Sequence, residues 1–555
     1  MNNTLEPGQV SRSEWRWAWG WALAVVALSC APYVYAALAA PPGHTFGGFL
    51  INTQDGNSYL AKMRQGYDGA WLFRLPFTPE DQRGIFVFTL YLGLGHLARL
   101  TGLPLLLVFH LARAAAGLFL LLTVYRLAAE LSPGLAARRW AFAIVAFGGG
   151  LALLSIVLGR DNAAAFAPVD LFVPESIGFY SILSNPHFSL AFALQAWAIV
   201  WLLHPPRSPL WAQCLGMCSI GVGIISLAPY LAPVVAASAA AASTRTATAR
   251  SAVQVVQRPY SGPEKSFPKT FRVSKTLKVW RGENLSGGLY EPRCARLTAR
   301  LFALGASMAA LLAYDVWAMR SDPAVIAWAA QNITASPPPA DALLGLGLWV
   351  PLAVVGLWRV GALGKRPALA MAVWLGVGGA LAYIPYALQR RFLGGLFIPM
   401  AVLAGAGAAW LLSQMAKSWE RALSLAVLLL FGFTSNALVL AALFRAPASA
   451  DPALYLSNDE VAALRWIDVH TTAADVVLAD ARLGNAVPGW AGARVVYGHP
   501  METIDATRRR AEVDAYFDGG GDLPDRYRVA YILGGPVAAG WQVVFQSGAV
   551  RVYGR

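Results

Sequence analysis

The chain has 555 residues, of which 57% are hydrophobic and only 13% are charged, whereas about a quarter of the residues of an ordinary soluble domain carry a charge. This composition excludes a soluble globular protein. The net charge of +14 would suit nucleic acid, but anionic lipid at a membrane surface attracts basic segments equally well. We therefore predict membrane lipid as a partner and no nucleic-acid partner.

Apolar runs of about 18 to 25 residues recur along the chain, each long enough to cross about 30 Å of hydrocarbon as a helix. The first run, residues 17–40, is too long for the core of a signal peptide and precedes many others, so we predict a retained span. The four cysteines lie in or beside apolar segments and indicate neither a disulfide framework nor a metal site. The predicted fold is a polytopic α-helical membrane protein of about 11 to 13 transmembrane helices.

Orientation follows from the basic residues, because Lys and Arg in short loops stay mainly on the cytoplasmic side. Arg12 and Arg16 precede the first span, and later basic residues such as Arg138, Lys365 and Lys417 fall in alternate connections. About eleven spans satisfy this alternation. We therefore predict a multi-pass protein of the cell membrane, with its N-terminus in the cytoplasm and the segment after residue 443 outside.

Two apolar segments within residues 84–131 leave the span count open, because one of them must be re-entrant or the parity shifts. Arg99 and Arg113 each follow the sequence His-Leu-Ala in this stretch. An arginine in mid-membrane costs roughly 2.5 to 3.5 kcal/mol on insertion scales. We expect both side chains to snorkel to an interface, the alternative being that they face a polar cavity.

Residues 245–300 differ from their surroundings, since they hold twelve Lys or Arg against three Glu. Pro, Ser, Lys and Phe are mixed there without apolar periodicity, which is typical of a disordered segment. We interpret it as a basic, disordered cytoplasmic insert and assign it no function.

After the last predicted span the composition becomes that of a soluble domain. We place a small extracytoplasmic α/β domain at residues 446–555, behind a membrane domain of residues 1–445. The patterns predict helices at 460–470 and 505–516, and strands at 475–479, 494–497, 529–533, 541–545 and 550–553.

His499, Glu502 and Asp505 stand close together in this tail and are compatible with a metal or acid/base site. We favour instead a turn that leads into a helix capped by Thr503 or Asp505. The position of the tail after the last predicted span suggests that the tail binds an acceptor or covers the active site.

Three outward features are predicted to share one aqueous face. They are an outer loop at about residues 42–83, a loop at 159–185 that runs into the next span, and an arginine pair that breaks the positive-inside tendency. Their candidate residues for the chemistry are Asp55, Tyr59 and Arg74, then Asp161, Glu175 and His187, and finally Arg390 and Arg391.

The outer loop resembles a known superfamily. The run from Asp55 through Tyr59, followed by Gln65-Gly66 and Gly69-Ala-Trp71, is similar to the first outer loop of polytopic GT-C glycosyltransferases, including the family-39-like protein O-mannosyltransferase and aminoarabinose transferase relatives. Two further parts of the chain are similar to bacterial members of this superfamily. They are Gln389-Arg390-Arg391-Phe392 and, in the tail, residues 478–480, 484–485 and 497–503. The resemblance covers most of the chain except the basic insert.

The resemblance implies an inverting transfer of a sugar from a polyprenyl-phosphate donor to a glycan, lipid or protein acceptor at the outer face. Asp55 would be the general base, and Arg390 or Arg391 would hold the leaving phosphate. The other candidates, Tyr59, Arg74, Asp161, Glu175 and His187, would bind substrate.

One departure from the pattern concerns a second acid. In this superfamily an acidic residue commonly follows the catalytic Asp, whereas this chain has Gly56 at that position. No cofactor and no metal ligand is assigned, and dependence on a divalent metal is left open.

Two alternatives remain at the level of sequence. A transporter or flippase of lipid-linked sugars would show repeated halves and ionisable residues at mid-membrane, whereas the acids of this chain concentrate in outer loops. A catalytically silent relative that only binds lipid is compatible with the missing acid at Gly56.

Overall fold

The computed structural model describes residues 8–151, 169–244, 287–363, 365–535 and 540–555. Asp161 and most of the basic insert lie outside these ranges. The described chain is mostly helical, and seven of its helices are long and apolar enough to cross a membrane. These candidate spans are Arg12–Leu38, Leu105–Leu131, Pro186–Leu203, Leu210–Leu227, Cys294–Ala318, Gln389–Gln414 and Ser418–Ser449. The protein is therefore a polytopic α-helical membrane protein.

In the described part of the chain, a pair of helices, Pro339–Leu346 and Trp349–Gly361, is bent by 73° at the break between them and forms either one broken span or a re-entrant loop. Several other apolar segments fold into helices shorter than a bilayer is thick. The shorter helices of the membrane region are Thr53–Tyr67, Thr89–Thr101, Leu135–Phe147, Val169–Phe172, Gly178–Ser184, Ala232–Ser243, Pro323–Gln331 and Lys365–Leu381.

Helix α1 (Arg12–Leu38) shows why these segments form spans. It begins with a capping box, in which Ser11 Oγ accepts from the amide of Glu14 at 3.2 Å and Glu14 Oε2 accepts from the amide of Ser11 at 2.9 Å. Its 27 residues reach about 40 Å at 1.5 Å per residue. Trp21 and Leu38 remain exposed, as expected of side chains that face lipid.

The region that left the span count open contains one long helix. Helix α3 (Thr89–Thr101) has 13 residues, which reach only about 20 Å, whereas helix α4 (Leu105–Leu131) has 27. Helix α3 packs against helix α2 (Thr53–Tyr67) instead. Gly66 and Gly95 permit this, because a Cβ on either one would lie about 2 Å from a backbone oxygen of the other helix.

Arg113 does not snorkel, so that prediction was wrong for this residue. Its side chain is buried, and Nη1 donates to the carbonyl oxygens of Ile182 at 2.9 Å and Leu183 at 3.3 Å. The guanidinium also lies 4.5 Å from the ring centre of Tyr33. Carbonyls at the end of the helix Gly178–Ser184 thus solvate the charge in place of water. Arg99 is exposed.

The tail forms a small α/β domain around a five-stranded sheet of order β4-β3-β5-β7-β6. Strand β3 runs parallel to β4 and β5, and β6 and β7 form an antiparallel hairpin on the other side of β5. The strands of this sheet are β3 (Val476–Ala479), β4 (Arg494–Val495), β5 (Tyr531–Leu533), β6 (Gln542–Ser547) and β7 (Val550–Gly554), and the helices are Asn458–His470, Ala481–Ala491, Ala506–Gly519 and Leu523–Arg526.

The two predicted tail helices and the predicted strands are present, with no strand end shifted by more than two residues. The helix Ala481–Ala491 was not predicted, because Pro488 interrupts its pattern. Asp480 begins it, since Oδ1 accepts from the amides of Arg482 at 2.8 Å and Leu483 at 3.0 Å.

The tail and the outer loop fold together. Strand β1 (His44–Phe46) pairs antiparallel with β2 (Tyr455–Ser457), which follows the last span. Ala61 and Phe77 of the outer loop belong to the same apolar core as the tail. An ion pair, Arg64 Nη2 to Asp468 Oδ1 at 2.6 Å, joins the same two parts. The outer loop is therefore held in place by residues some 400 positions further along the chain.

Candidate active site

One side of helix α2 carries the reactive groups. Asp55 stands in the first turn of the helix, and Ser58, Tyr59 and Lys62 follow at three, four and seven residues. These spacings place all four side chains on one face, which we call the active side.

His499 holds the Asp55 carboxylate from the tail. Its Nε2 lies 3.1 Å from Asp55 Oδ1, and its Nδ1 accepts from the amide of Met501 at 3.1 Å. Because Nδ1 is an acceptor, Nε2 carries the proton and donates to Asp55. Thr503 Oγ1 fixes the turn by accepting from the amides of Gly498 and His499. The ring is buried, so its orientation is defined by packing as well.

The helix-cap interpretation of these tail residues was wrong. Asp505 occupies the N-cap position of the helix Ala506–Gly519, but its side chain makes no capping hydrogen bond. Thr503 bonds the preceding turn instead, and His499 contacts Asp55. The structure thus favours the acid/base alternative that the sequence left open.

The Asp55 carboxyl is ionised at neutral pH. Burial alone would raise its pKa, but the hydrogen bond from His499, followed by the charges of Lys62 and Arg391, outweighs burial and holds that pKa below its ordinary value. The side chain is still 46% exposed. A substrate can therefore reach a carboxylate that stays negative.

A second carboxylate lies beneath the first. Lys62 Nζ is fully buried, 2.7 Å from Glu502 Oε1, and the hydroxyl of Ser58 donates to the same oxygen at 2.5 Å. Burial tends to raise the pKa of Glu502, but the charge of Lys62 leads the effects that lower it. Aromatic rings cover the ammonium, with Nζ 4.5 Å from the ring centre of Phe88 and 5.2 Å from that of Tyr59.

Tyr59 and His187 form a wall beside Asp55. The ring of Tyr59 stacks on Tyr91 with centroids 4.5 Å apart, and it lies 5.2 Å from the ring of His187. The Tyr91 hydroxyl is 2.7 Å from His187 Nδ1. His187 is buried at the start of the helix Pro186–Leu203. The sequence prediction grouped Tyr59 and His187, and the structure brings them into contact.

The arginine pair divides its roles. Arg390 Nε lies 3.7 Å from Oε1 of the buried Glu175. Arg391 lies over the ring of Tyr230 at 5.8 Å, and its charge is among those that lower the pKa of Asp55. Among the described residues, Nε of Arg390 and Nε of Arg391 both lack a hydrogen-bond partner. Of the two, Arg391 is the one whose charge is among the leading influences on Asp55.

Two predicted residues do not join this cluster in the described structure. Arg74 is exposed, and its backbone bonds the side chain of Gln65 at 3.0 and 2.8 Å. Gln65 lies ten residues beyond Asp55 in helix α2, or about 15 Å along the axis. Asp161 lies outside the described residues.

Packing explains why a glycine stands at position 56. A Cβ at this position would lie 2.3 Å from Cγ of Phe49, so no acidic side chain fits while Phe49 stays in place. The second acid of this site comes from the tail, as Glu502. Sequence reasoning missed Lys62 as a site residue, although Lys62 stands on the same helical face as Asp55. It weighed Glu502 as part of an acid/base site but favoured a helix cap.

The described residues contain no group of three or more His, Cys, Asp or Glu side chains arranged to hold a metal ion. Glu502, which contacts Ser58 and Lys62 on the active side, is paired with the ammonium of Lys62. The described residues of this cluster do not fit a divalent metal, and no step is assigned to one.

The sequence matches no protein-family model and no curated protein. Among solved structures, the chain is similar to ArnT from Cupriavidus metallidurans bound to undecaprenyl phosphate and to the same protein in the apo state, each with a TM-score of 0.41 and 13% identity. The alignments cover 96% of this chain and 98% and 97% of those chains. At this TM-score the likeness does not define the family of the chain.

Proposed function

We propose that this protein is a membrane glycosyltransferase that moves a sugar from a polyprenyl-phosphate donor to an acceptor hydroxyl at the outer face of the membrane. The observation that carries the proposal is the convergence of an ionised, half-exposed Asp55, a buried His499 and the guanidinium of Arg391. The outer loop around Asp55 also resembles that of GT-C enzymes.

The carboxylate suits the role of general base. The acceptor oxygen forms a bond to the anomeric carbon from the side opposite the phosphate, while its proton passes to Asp55 and the bond from carbon to phosphate oxygen breaks. The configuration at carbon is inverted. His499 occupies one carboxylate oxygen, which leaves the other for the proton. Positioned general bases contribute about 10² to 10⁴ in rate, and the negative charge also favours the cationic sugar centre.

The leaving group is a lipid phosphate, whose negative charge grows as the bond breaks. Arg391 offers a guanidinium beside the carboxylate, and its unpartnered Nε can donate to a phosphate oxygen. Arg390 and Glu175 form an ion pair behind it. Tyr59 and His187 supply the wall against which a sugar ring can pack.

The test is a transfer assay with purified protein in lipid nanodiscs, polyprenyl-phosphate sugars and candidate acceptors. We expect product with the natural chain and a loss of at least about a hundredfold for Asp55→Asn. The control is Asp81→Asn, which alters a 94% exposed acid of the same outer loop.

Full activity of Asp55→Asn would show that Asp55 is not the general base. Movement of the donor across the bilayer of sealed vesicles, without product in any assay, would favour the transporter. Binding of the donor without product or transport would indicate a catalytically silent relative.

A further inference from the structure

A polar cavity lies on the far side of helix α2 from Asp55. Its volume is about 420 Å³, and it opens between the first turn of α2, the connection into strand β2, and the tail. Thr53, Gln54 and Asn57 contribute from the helix. At 3.6 residues per turn, Asn57 and Asp55 point about 160° apart. The cavity is therefore separate from the carboxylate, although both belong to the same helix end.

The two walls of the cavity are joined by amides. Asn57 Nδ2 donates to Asn485 Oδ1 at 2.8 Å, and Asn485 Nδ2 donates to the carbonyl oxygen of Gln54 at 3.3 Å. These bonds tie helix α2 to the tail helix Ala481–Ala491. The floor of the cavity is therefore rigid, and its width is set before any ligand arrives.

The lining combines planar polar groups with aromatic rings. Two carboxylates, Asp480 and Asp514, are balanced by two guanidiniums, Arg482 and Arg510. Phe49, Trp490 and Tyr497 add aromatic surface. Planar polar groups pair with neighbouring hydroxyls, and aromatic faces pack against the C–H faces of sugar rings. The balance of charge disfavours a ligand of high net charge.

We infer that this cavity binds a neutral oligosaccharide, namely the part of a glycan acceptor that lies away from the reacting hydroxyl. The inference rests on the proposed function and narrows its acceptor to a glycan chain. A helix with its side chains is about 10 to 12 Å across, so one sugar unit cannot occupy the cavity and also reach Asp55. The acceptor must contain two or more sugar units and pass round the first turn of α2.

The first experiment measures binding without catalysis. The full-length protein in nanodiscs is applied to an array of neutral, acidic and phosphorylated oligosaccharides. Ala453 lines the cavity and is exposed, so Ala453→Trp fills the cavity without disturbing the core. Ala473→Trp is the matched control, since Ala473 is exposed in the connection before strand β3 and does not line the cavity.

We expect neutral oligosaccharides to bind the natural chain, Ala473→Trp and Asp55→Asn alike, and to bind Ala453→Trp at least tenfold more weakly. Loss of binding in Asp55→Asn with full binding in Ala453→Trp would overturn the inference. Binding restricted to acidic or phosphorylated glycans, or no binding of any glycan, would overturn it as well.

The second experiment separates this inference from the proposed function. In the transfer assay, we expect Ala453→Trp to raise the KM for an oligosaccharide acceptor at least tenfold while kcat stays within twofold. An unchanged KM would refute the cavity as a subsite and leave the transferase intact. Glycan binding that Ala453→Trp abolishes, in a protein that transfers no sugar, would support a glycan site and refute the transferase.

Discussion

The two sides of helix α2 meet the same tail by different means. Asn57, Ala61 and Arg64 form a packing side, which contacts the tail through an amide bond, an apolar core and an ion pair. The active side meets the tail through charges, with Asp55 against His499 and Lys62 against Glu502. The comparison shows that one docking surface holds both the packing contacts and the charged contacts of the candidate site, so the packing side helps to fix where His499 lies.

The largest effect on stability is expected from the buried pair of the active side. Lys62→Met leaves Glu502 buried without a cation, and breaking a buried ion pair in this way costs about 3 to 5 kcal/mol. Thermal unfolding in detergent should show the loss. Lys417→Met, at an exposed lysine, is the control.

The double variant Lys62→Met with Glu502→Leu removes both charges together. Because no charge is then left unpaired, its stability should return close to that of the natural chain. Equal destabilisation of the single and double variants would mean that the pair acts through packing alone.

The next effect concerns pH. The transferase proposal requires ionised Asp55, whose pKa lies below its ordinary value, so activity should persist as pH falls and be lost only below the usual carboxyl range. His499→Ala removes the hydrogen bond that contributes most to that lowering, while burial remains. The pKa should rise, and the acid limb of the rate profile should move to higher pH, with about a tenfold lower rate near that limb.

His470→Ala is the control for this profile, because His470 is exposed and stacks on Trp466. An acid limb that stays in place in His499→Ala would show that Asp55 does not govern the rate.

The smallest effect is expected on the packing side. Arg64→Met removes the ion pair with Asp468 and should cost about 0.2 to 1 kcal/mol. Because Arg64 lies away from the active side, kcat and KM should be unchanged for the folded protein. A large fall in kcat with little loss of stability would erase the distinction between the two sides.

Much of the fold could be predicted from the sequence, because long apolar runs and turn residues act locally. The membrane class and most tail elements follow from such patterns. The helix Ala481–Ala491 was missed because of Pro488, and the burial of Arg113 depends on carbonyl oxygens some 70 residues away. Lengths of apolar runs also do not reveal that Thr89–Thr101 packs on α2 instead of crossing the bilayer.

Sequence reasoning likewise found only part of the candidate site. The sequence predicted that Asp55, Tyr59, His187 and Arg391 lie near one another, because each stands in or beside a connection between apolar segments. Lys62 could not be predicted, since a lysine within a polar helix normally faces water and only contact with the tail buries it. The link between Asp55 and His499 crosses 444 residues, and no local pattern records such a pairing.

The sequence separation between Asp55 and His499 also sets the order in which the candidate site forms during synthesis. At about 5 to 20 residues per second, the segment carrying His499 is made roughly 20 to 90 s after Asp55. Until then the outer loop lacks its β2 partner, the amide ties of Asn57 and the imidazole that orients the carboxylate. An unfinished chain can therefore sit in the membrane with Asp55 unassembled, and under the transferase proposal activity would appear only in a protein translated through its tail.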